Sequence, residues 1–497
     1  MRNTNQNICF TAICVLLAVM MASCKKLVTV DDPVDTITAD KMFRTEPQAE
    51  GALAGIYYEM INGTGTNTTG NNMFLNSFAS GLSTYAGGLS ADEFNVSSVS
   101  VPAYALASNK LTLLNSSLSG SIWSSAYKAI YDANSVIEGI AGARNSLIRD
   151  SVKKQYTAEA KFLRAFSYFY LVNFFGDLPI TLTVDFNQVI NIRRSPVAAV
   201  YAQILRDLED AERDLPDDYA AGKNARIRAN KWVAKAMLAK VYLYMNNHAQ
   251  AAAKASEIIA ETSLFGLEPL NRVFLADSKE AIFQFQQTNQ TSIVKNATAA
   301  GAFFIPINPF KDNASVWLTD QLISAFEPGD QRWEVWADST MQTSSGLNMK
   351  VWYPAKYKTG RHNGVAKAPS PEFSMVLRLA EIYLIRAEAR VNGADGGPAN
   401  AIADLNAIRF RTGLPDYPLS LGVNEIKDAV AHERQIELFA EWGNRWFDLK
   451  RNSNASAVLS NMPSKQPWEG DYQLLYPIPV REIEANTNIL QNTGYIR

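Results

Sequence analysis

Three glutamates, Glu433, Glu437 and Glu441, recur at four-residue steps near the C-terminal end of the chain. On a helix, that spacing lines them along one face, neighbours about 5–6 Å apart. Two carboxyls about 5–5.5 Å apart are what a retaining glycoside hydrolase uses as nucleophile and acid/base. Those carboxyls must flank a sugar from opposite sides, however, and one helix face presents them from the same side. Arg434, Arg445 and Arg451 lie close in sequence and offer guanidinium partners. The pattern therefore predicts a structural ion-pair network tying this helix to Arg445-Trp446-Phe447-Asp448, with no turnover.

Other reaction chemistries find less to work with. His248, His362 and His432 are scattered, without the spacing of metal ligands. A Walker A loop, a Gly-x-Ser-x-Gly elbow and a dinucleotide Gly-x-Gly-x-x-Gly fingerprint are all missing from the sequence. Asn392 to Gly397 is turn-like but lacks the acid ladder and closing glutamate of an EF-hand. No metal ligand set and no cofactor are predicted. A structural calcium held by loop carbonyls would leave no signature and stays open.

Binding chemistry is better supplied. A sugar ring has an apolar C–H face and a girdle of hydroxyls, which suit flat aromatics and amide, acid or guanidinium groups respectively. The stretch from Asn62 to Ser121 carries Asp92, Glu93 and Lys110 as its charged residues amid abundant Asn, Ser, Thr and Gly. Residues 289–317 share that character, and residues 331–373 are rich in Trp, Tyr, Gly and Pro. Loops this long are functional or disordered, and their aromatic content argues for order. Candidate ligand contacts are Tyr85, Asp92, Phe94 and Tyr104 in the first insertion, and Trp317, Trp336, Trp352 and Tyr353 in the later ones. Trp123, Trp442 and Trp446 are assigned to the core.

Helices must carry these insertions. Ala158, Phe162, Ala165, Phe166, Phe169 and Val172 recur at three- and four-residue steps, marking a buried helical face that ends at Gly176-Asp177-Leu178-Pro179. Leu238-Ala239-x-x-Tyr242 followed by Ala251 fits a tetratricopeptide hairpin, and Leu379-Ala380-x-x-Tyr383 followed by Ala401 repeats it about 140 residues later. The fold class expected is mainly α: helical hairpins with long irregular insertions. A short strand is expected around Ala281-Ile282-Phe283-Gln284-Phe285.

The first residues set the compartment. Arg2, an uncharged run from Ile8 to Met21 and small residues before Cys24 describe a secretory leader. Fourteen helical residues reach about 21 Å, short of a hydrocarbon core of about 30 Å. Residues 1–23 are read as signal peptide and 24–45 as a lipidated N-terminus and tether. Cys24 is similar to the lipidated cysteine of a bacterial lipobox, with Met21 where leucine is usual. Cys9 and Cys14 both lie in the leader, so no disulfide framework is expected. The formal net charge of −2 argues against nucleic acid, which needs a basic face. Two helical parts, 46–264 and 265–497, are expected to pack as one body.

The C-terminal third supplies a family. Glu433-Arg434-Gln435-Ile436-Glu437-Leu438 and Glu441-Trp442-Gly443-Asn444-Arg445-Trp446-Phe447-Asp448-Leu449 resemble the signature of SusD/RagB-type lipoproteins. So do Tyr476-Pro477-Ile478-Pro479 through Gly494-Tyr495, Asn406-x-x-Arg409-x-Arg411-x-Gly413, Leu377 to Leu384, Phe162-Leu163-Arg164-Ala165 and Phe174 to Pro179. The resemblance implies four tetratricopeptide-like helix pairs. It also implies a surface-exposed outer-membrane lipoprotein that binds an oligosaccharide or similar nutrient. Such a protein delivers its ligand to a SusC-like, TonB-dependent barrel. A helical interaction scaffold without glycan binding is the alternative.

Overall fold

The computed structural model describes residues 42–63, 75, 77–96, 101–143, 146–288, 294–307, 314–344 and 347–495. Cys24, the leader and nearly all of the tether lie outside the described residues. Helices run in chain order as α1 (Glu46–Asn62), α2 (Ser83–Ser90), α3 (Val101–Ala107), α4 (Ser117–Gly142), α5 (Asp150–Phe175), α6 (Val197–Asp214), α7 (Lys231–Tyr244) and α8 (His248–Ala260). The second half adds α9 (Ala299–Phe304), α10 (Asp320–Ala325), α11 (Gln331–Trp336), α12 (Leu379–Val391), α13 (Gly397–Thr412), α14 (Val423–Glu437) and α15 (Asn444–Arg451). Shorter turns such as Val480–Ala485 fill the connections.

Strands among the described residues form antiparallel pairs rather than a sheet. They are β1 (Phe94–Val96) with β5 (Val316–Leu318), β2 (Leu178–Pro179) with β3 (Arg194–Ser195), β4 (Ala281–Phe285) with β8 (Ser374–Arg378), and the hairpin β6 (Ala337–Ser344) with β7 (Leu347–Pro354). The mainly helical class read from the sequence is the one observed.

Packing follows the apolar periodicity. Helices α4 to α8 contact one another in series, α8 then meets α12, and α12 packs on α13 and α14. The two hairpins far apart in sequence, α7–α8 and α12–α13, are thus neighbours in space. Ala239, Ala251, Ala380 and Ala401 have no exposed surface, as small residues must where helix axes approach closely. Tyr242 spans the groove to α6, where its hydroxyl donates to Glu209 Oε1 (3.2 Å). Buried on most of its circumference, α5 shows why its pattern is broader than a stripe. Phe162, Phe166 and Tyr170 pack there against Phe283, Phe285 and Trp442, which come from the other half of the chain. One hydrophobic cluster runs from Phe43 to Ile489, and a smaller one lies between α12, α13 and α14.

The glutamate run needs a correction. α14 ends at Glu437, and Ala440 (φ 55°) turns the chain before Glu441 can share the helix face; Trp442 (φ 54°) turns it again just after. The partners also differ from those expected. Glu433 accepts from Arg332 (2.9 Å) and Arg409 (2.8 Å), and Glu437 from Arg332 (3.0 Å), Arg378 (2.6 Å) and Arg411. Glu441 takes Arg378 and Lys356. The nearby arginines pair with aspartates instead: Arg434 and Arg451 with Asp448, which ties the helix to the 445–448 segment as expected, and Arg445 with Asp92. Burial alone would raise the Glu437 pKa, but Arg411, Arg378 and Arg332 outweigh it and hold the carboxyl well below its ordinary value. All three carboxylates are engaged in ion pairs, and Glu433 and Glu437 have no exposed surface.

Candidate binding surface

The strand pair β1–β5 sorts the insertion's residues by alternation. Phe94 faces Leu318, Asn95 faces Trp317 and Val96 faces Val316. Successive side chains of a strand point to opposite faces. Phe94, Val316 and Leu318 are buried, whereas Asn95 and Trp317 are half-buried and share the more open face. Directly opposed residues hold their Cβ atoms about 4.5–5.5 Å apart. An indole plane therefore sits beside a carboxamide, an apolar face next to a hydroxyl-binding group.

A second aromatic assembly adjoins it, because β5 packs against β7. Trp352 on β7 meets Trp333 of α11 with ring centroids 4.6 Å apart. Trp333 rests on Phe326 (5.2 Å), which rests on the fully buried Phe439 (5.7 Å). This ladder anchors a half-exposed tryptophan to the core. Lys350 Nζ lies 4.6 Å over the Trp352 ring. An exposed cation–π contact is worth only about 0.5–1 kcal/mol, so a stacking ligand can displace it.

The structure corrects Tyr85, Asp92, Phe94, Trp336 and Tyr353, which turn inward. Trp336 has no exposed surface: its Nε1 donates to Leu270 O (3.0 Å), and Lys356 Nζ caps its ring at 4.7 Å. Tyr353 is buried, its hydroxyl bonded to Asp338 Oδ2 (3.1 Å). Tyr85 packs edge-on against Phe303 (4.9 Å), and the Phe94 ring lies tilted against Phe304 (5.4 Å). The insertions expected to be ordered surface bury these aromatics in one another, since apolar area gains most where it leaves water. Asp92 is buried in a two-pronged pair with Arg445 (2.8 Å each). It anchors the segment instead of facing a ligand. Tyr104, on α3, is exposed. Asn95, Trp333 and Lys350 were missed; for Asn95 the available signal was strand alternation, since Phe94 and Asn95 cannot both face out.

The anchoring runs to the C-terminal motif. A Cβ on Gly87 of α2 would lie 2.5 Å from Gly443 Cα, so these backbones touch where a side chain would not fit. Gly443 also takes φ +72°, which glycine adopts without strain. Next to Asp92, Glu93 is buried and accepts from Ala440 N–H (3.3 Å). Burial, and then the Asp92 charge, push its carboxyl up to about 8, against the pull of Lys356 and Arg445. Among the described residues, no three His, Cys, Asp or Glu side chains are grouped to hold a metal ion. None of the described helices is long and apolar enough to cross a membrane.

Residues 76–243 match a family described as starch-binding associating with outer membrane, and residues 279–495 match the SusD family. The SusD-like protein P2 of Formosa agariphila is 30% identical over 414 residues, covering 75% of this chain and 80% of that one. The chain belongs to the SusD/RagB family. Starch-binding protein SusD of Bacteroides thetaiotaomicron is 24% identical over 432 residues, 70% of this chain and 74% of its own. Among solved structures, a laminarin binding SusD-like protein superposes with a TM-score of 0.73 at 25% identity, covering 91% of this chain and all (100%) of that one. A SusD superfamily protein from Bacteroides vulgatus gives 0.72 at 20% identity, covering 90% and 99%, a likeness of fold alone. In this SusD/RagB chain the segment Trp442-Gly443-Asn444-Arg445 works as a clamp, fixing α2 and β1 beneath the Trp317–Asn95 face.

Proposed function

We propose that this SusD/RagB protein is a lipid-anchored receptor at the outer membrane, facing the exterior. It binds an oligosaccharide without altering it and passes it to a SusC-like, TonB-dependent transporter. The observation that carries the binding reading is the Trp317–Asn95 cross-strand pair, with the core-anchored Trp352–Trp333 pair beside it. Family membership supports the ligand class and the membrane partner. Saturation of Glu433, Glu437 and Glu441 by guanidinium and ammonium groups supports binding without hydrolysis. Stacking plus a few hydrogen bonds at a solvent-facing site offsets part of the entropy cost of association. It predicts affinities on the order of micromolar to millimolar.

The test is a broad glycan panel scored for both binding and product formation, run on the parent protein and on Trp317→Ala, Asn95→Ala and Trp352→Ala. Each change is expected to weaken binding about tenfold or more, roughly 1.4 kcal/mol, with no product in any sample. Turnover at enzyme-like rates overturns the reading. Undiminished binding in all three folded variants moves the site away from these strands, and silence across the panel favours a helical interaction scaffold.

A further inference from the structure

A cleft of about 530 Å³ opens between α1, the loop at 221–228 and the residues that follow β4. None of its lining residues belongs to the Trp317–Trp352 surface. Pockets of about 300–1,000 Å³ are the usual size for small ligands. Its wall is held rigidly. Tyr57 Oη donates to Glu159 Oε1 (2.6 Å) and accepts from Ala229 N–H (3.0 Å). Arg228 grips the same carboxylate through Nε (2.6 Å) and Nη2 (2.9 Å), its guanidinium 5.3 Å from the Tyr57 ring centre.

Within this ordered wall one donor is left over. Gln287 is 5% exposed; its Oε1 accepts from Ser374 Oγ at 3.5 Å, while its Nε2 has no hydrogen-bond partner. A buried donor without a partner costs about 1–3 kcal/mol, and such a group in a native protein calls for an explanation. Gln287 lines the cleft, and the terminal torsion of a glutamine is soft, so its amide can reorient to meet a ligand without moving the backbone. At the rim, Tyr58 is 56% exposed, a flat ring on the second-to-last turn of α1. Asn62 holds that turn, donating to Tyr58 O (3.0 Å) and accepting from Thr288 N–H (3.1 Å). Phe285 and Ile227 supply apolar lining. The charges roughly cancel: Glu159 answers Arg228, and Glu50 and Lys223 lie on the cleft with opposite sign.

We infer that this cleft is a second saccharide site, taking a neutral sugar ring on Tyr58 with a ring or hydroxyl oxygen meeting the Gln287 amide. The ligand class rests on the glycan-binding reading; the cleft and its leftover donor do not. The lining carries Lys223 and Arg228 against Glu50, but Glu159 behind the wall neutralises Arg228, so a phosphate or uronate meets no net positive charge there.

The trial uses the mature lipoprotein in detergent. Neutral oligosaccharides from laminarin, starch, mannan and xylan are followed by ligand-detected NMR. The Trp317→Ala/Trp352→Ala double variant should retain a saturable component. Adding Tyr58→Ala or Gln287→Met to it should weaken that component about tenfold. Gln287→Met alone removes an unpartnered donor and, with it, only a long acceptor contact to Ser374 Oγ (3.5 Å), so its Tm should change little while binding falls, a pattern that a purely structural role would not give. Should Gln287→Met unfold the protein, the exposed Tyr58→Ala decides alone. Loss of all binding with the two tryptophans, and wild-type binding in the Tyr58 and Gln287 variants, overturns the second site and leaves the first. Residual binding indifferent to Tyr58 and Gln287 also overturns it. No binding by any form overturns both.

Discussion

Glu93 shows at the scale of one residue how the segment beneath the binding surface is tuned. The charges facing it come from every side: Asp92 on its own segment, Lys356 after β7 and Arg445 on α15. Its carboxyl keeps a proton up to about 8 in the folded protein, against an ordinary value of 4.5. An acid with a raised folded-state pKa binds more protons folded than unfolded, so it lowers stability as pH rises across that window. Lys356, pushed down to about 8 by burial, works in the opposite sense, because the unfolded chain holds its proton longer. Glu93→Gln isolates the first contribution. The variant should match the parent near about pH 5 and exceed it by on the order of 1–3 kcal/mol near about pH 9. Urea unfolding at both values checks this, and a constant difference between them would refute it.

At the scale of elements, two helix ends converge on one ammonium. Lys465 has no exposed surface, and its Nζ shares three N–H groups among Leu89 O (2.9 Å), Ser90 O (3.0 Å), Ala107 O (3.0 Å) and Asn109 Oδ1 (2.6 Å). The C-terminal ends of α2 and α3 carry unsatisfied carbonyls and the negative end of each helix dipole. The lysine answers both, joining the first insertion to the C-terminal region. Lys465→Met leaves those oxygens facing a methyl group and should cost roughly 3 kcal/mol or more. Calorimetry reads the loss, and an unchanged Tm would remove the joint from the account. Arg445–Asp92 and Gly443–Gly87 secure the same segment from α15, so β1 inherits its position from distant sequence.

For the whole molecule, the proposed anchor and partner make one joint expectation. Cys24→Ala should leave the leader uncleaved or release the protein from the outer-membrane fraction. Gentle detergent extraction of the parent should recover a much larger TonB-dependent barrel alongside it. Membrane fractionation, fatty-acid labelling and pull-down check the two parts. Unchanged fractionation and labelling refute the lipid anchor, and consistent recovery of the parent alone refutes the barrel partner.

The helical class, both alanine–tyrosine hairpins and family membership were legible in the residues. Each rests on local periodicity or on short motifs that the chain carries wherever it folds. The structural use of Glu433, Glu437 and Glu441 was legible as well, but not their partners. Arg332, Arg378, Arg409 and Arg411 reach them from α11, β8 and α13, and sequence distance does not report such convergence. Which aromatics stay open was a tertiary decision too. Trp336 and Trp352 look alike in sequence, yet one fills the core beneath Lys356 and the other stands on a hairpin above Trp333. Burial depends on what packs opposite. For Phe94 and Trp317 the decision is a strand register, in which a shift of one residue exchanges the buried face for the open one.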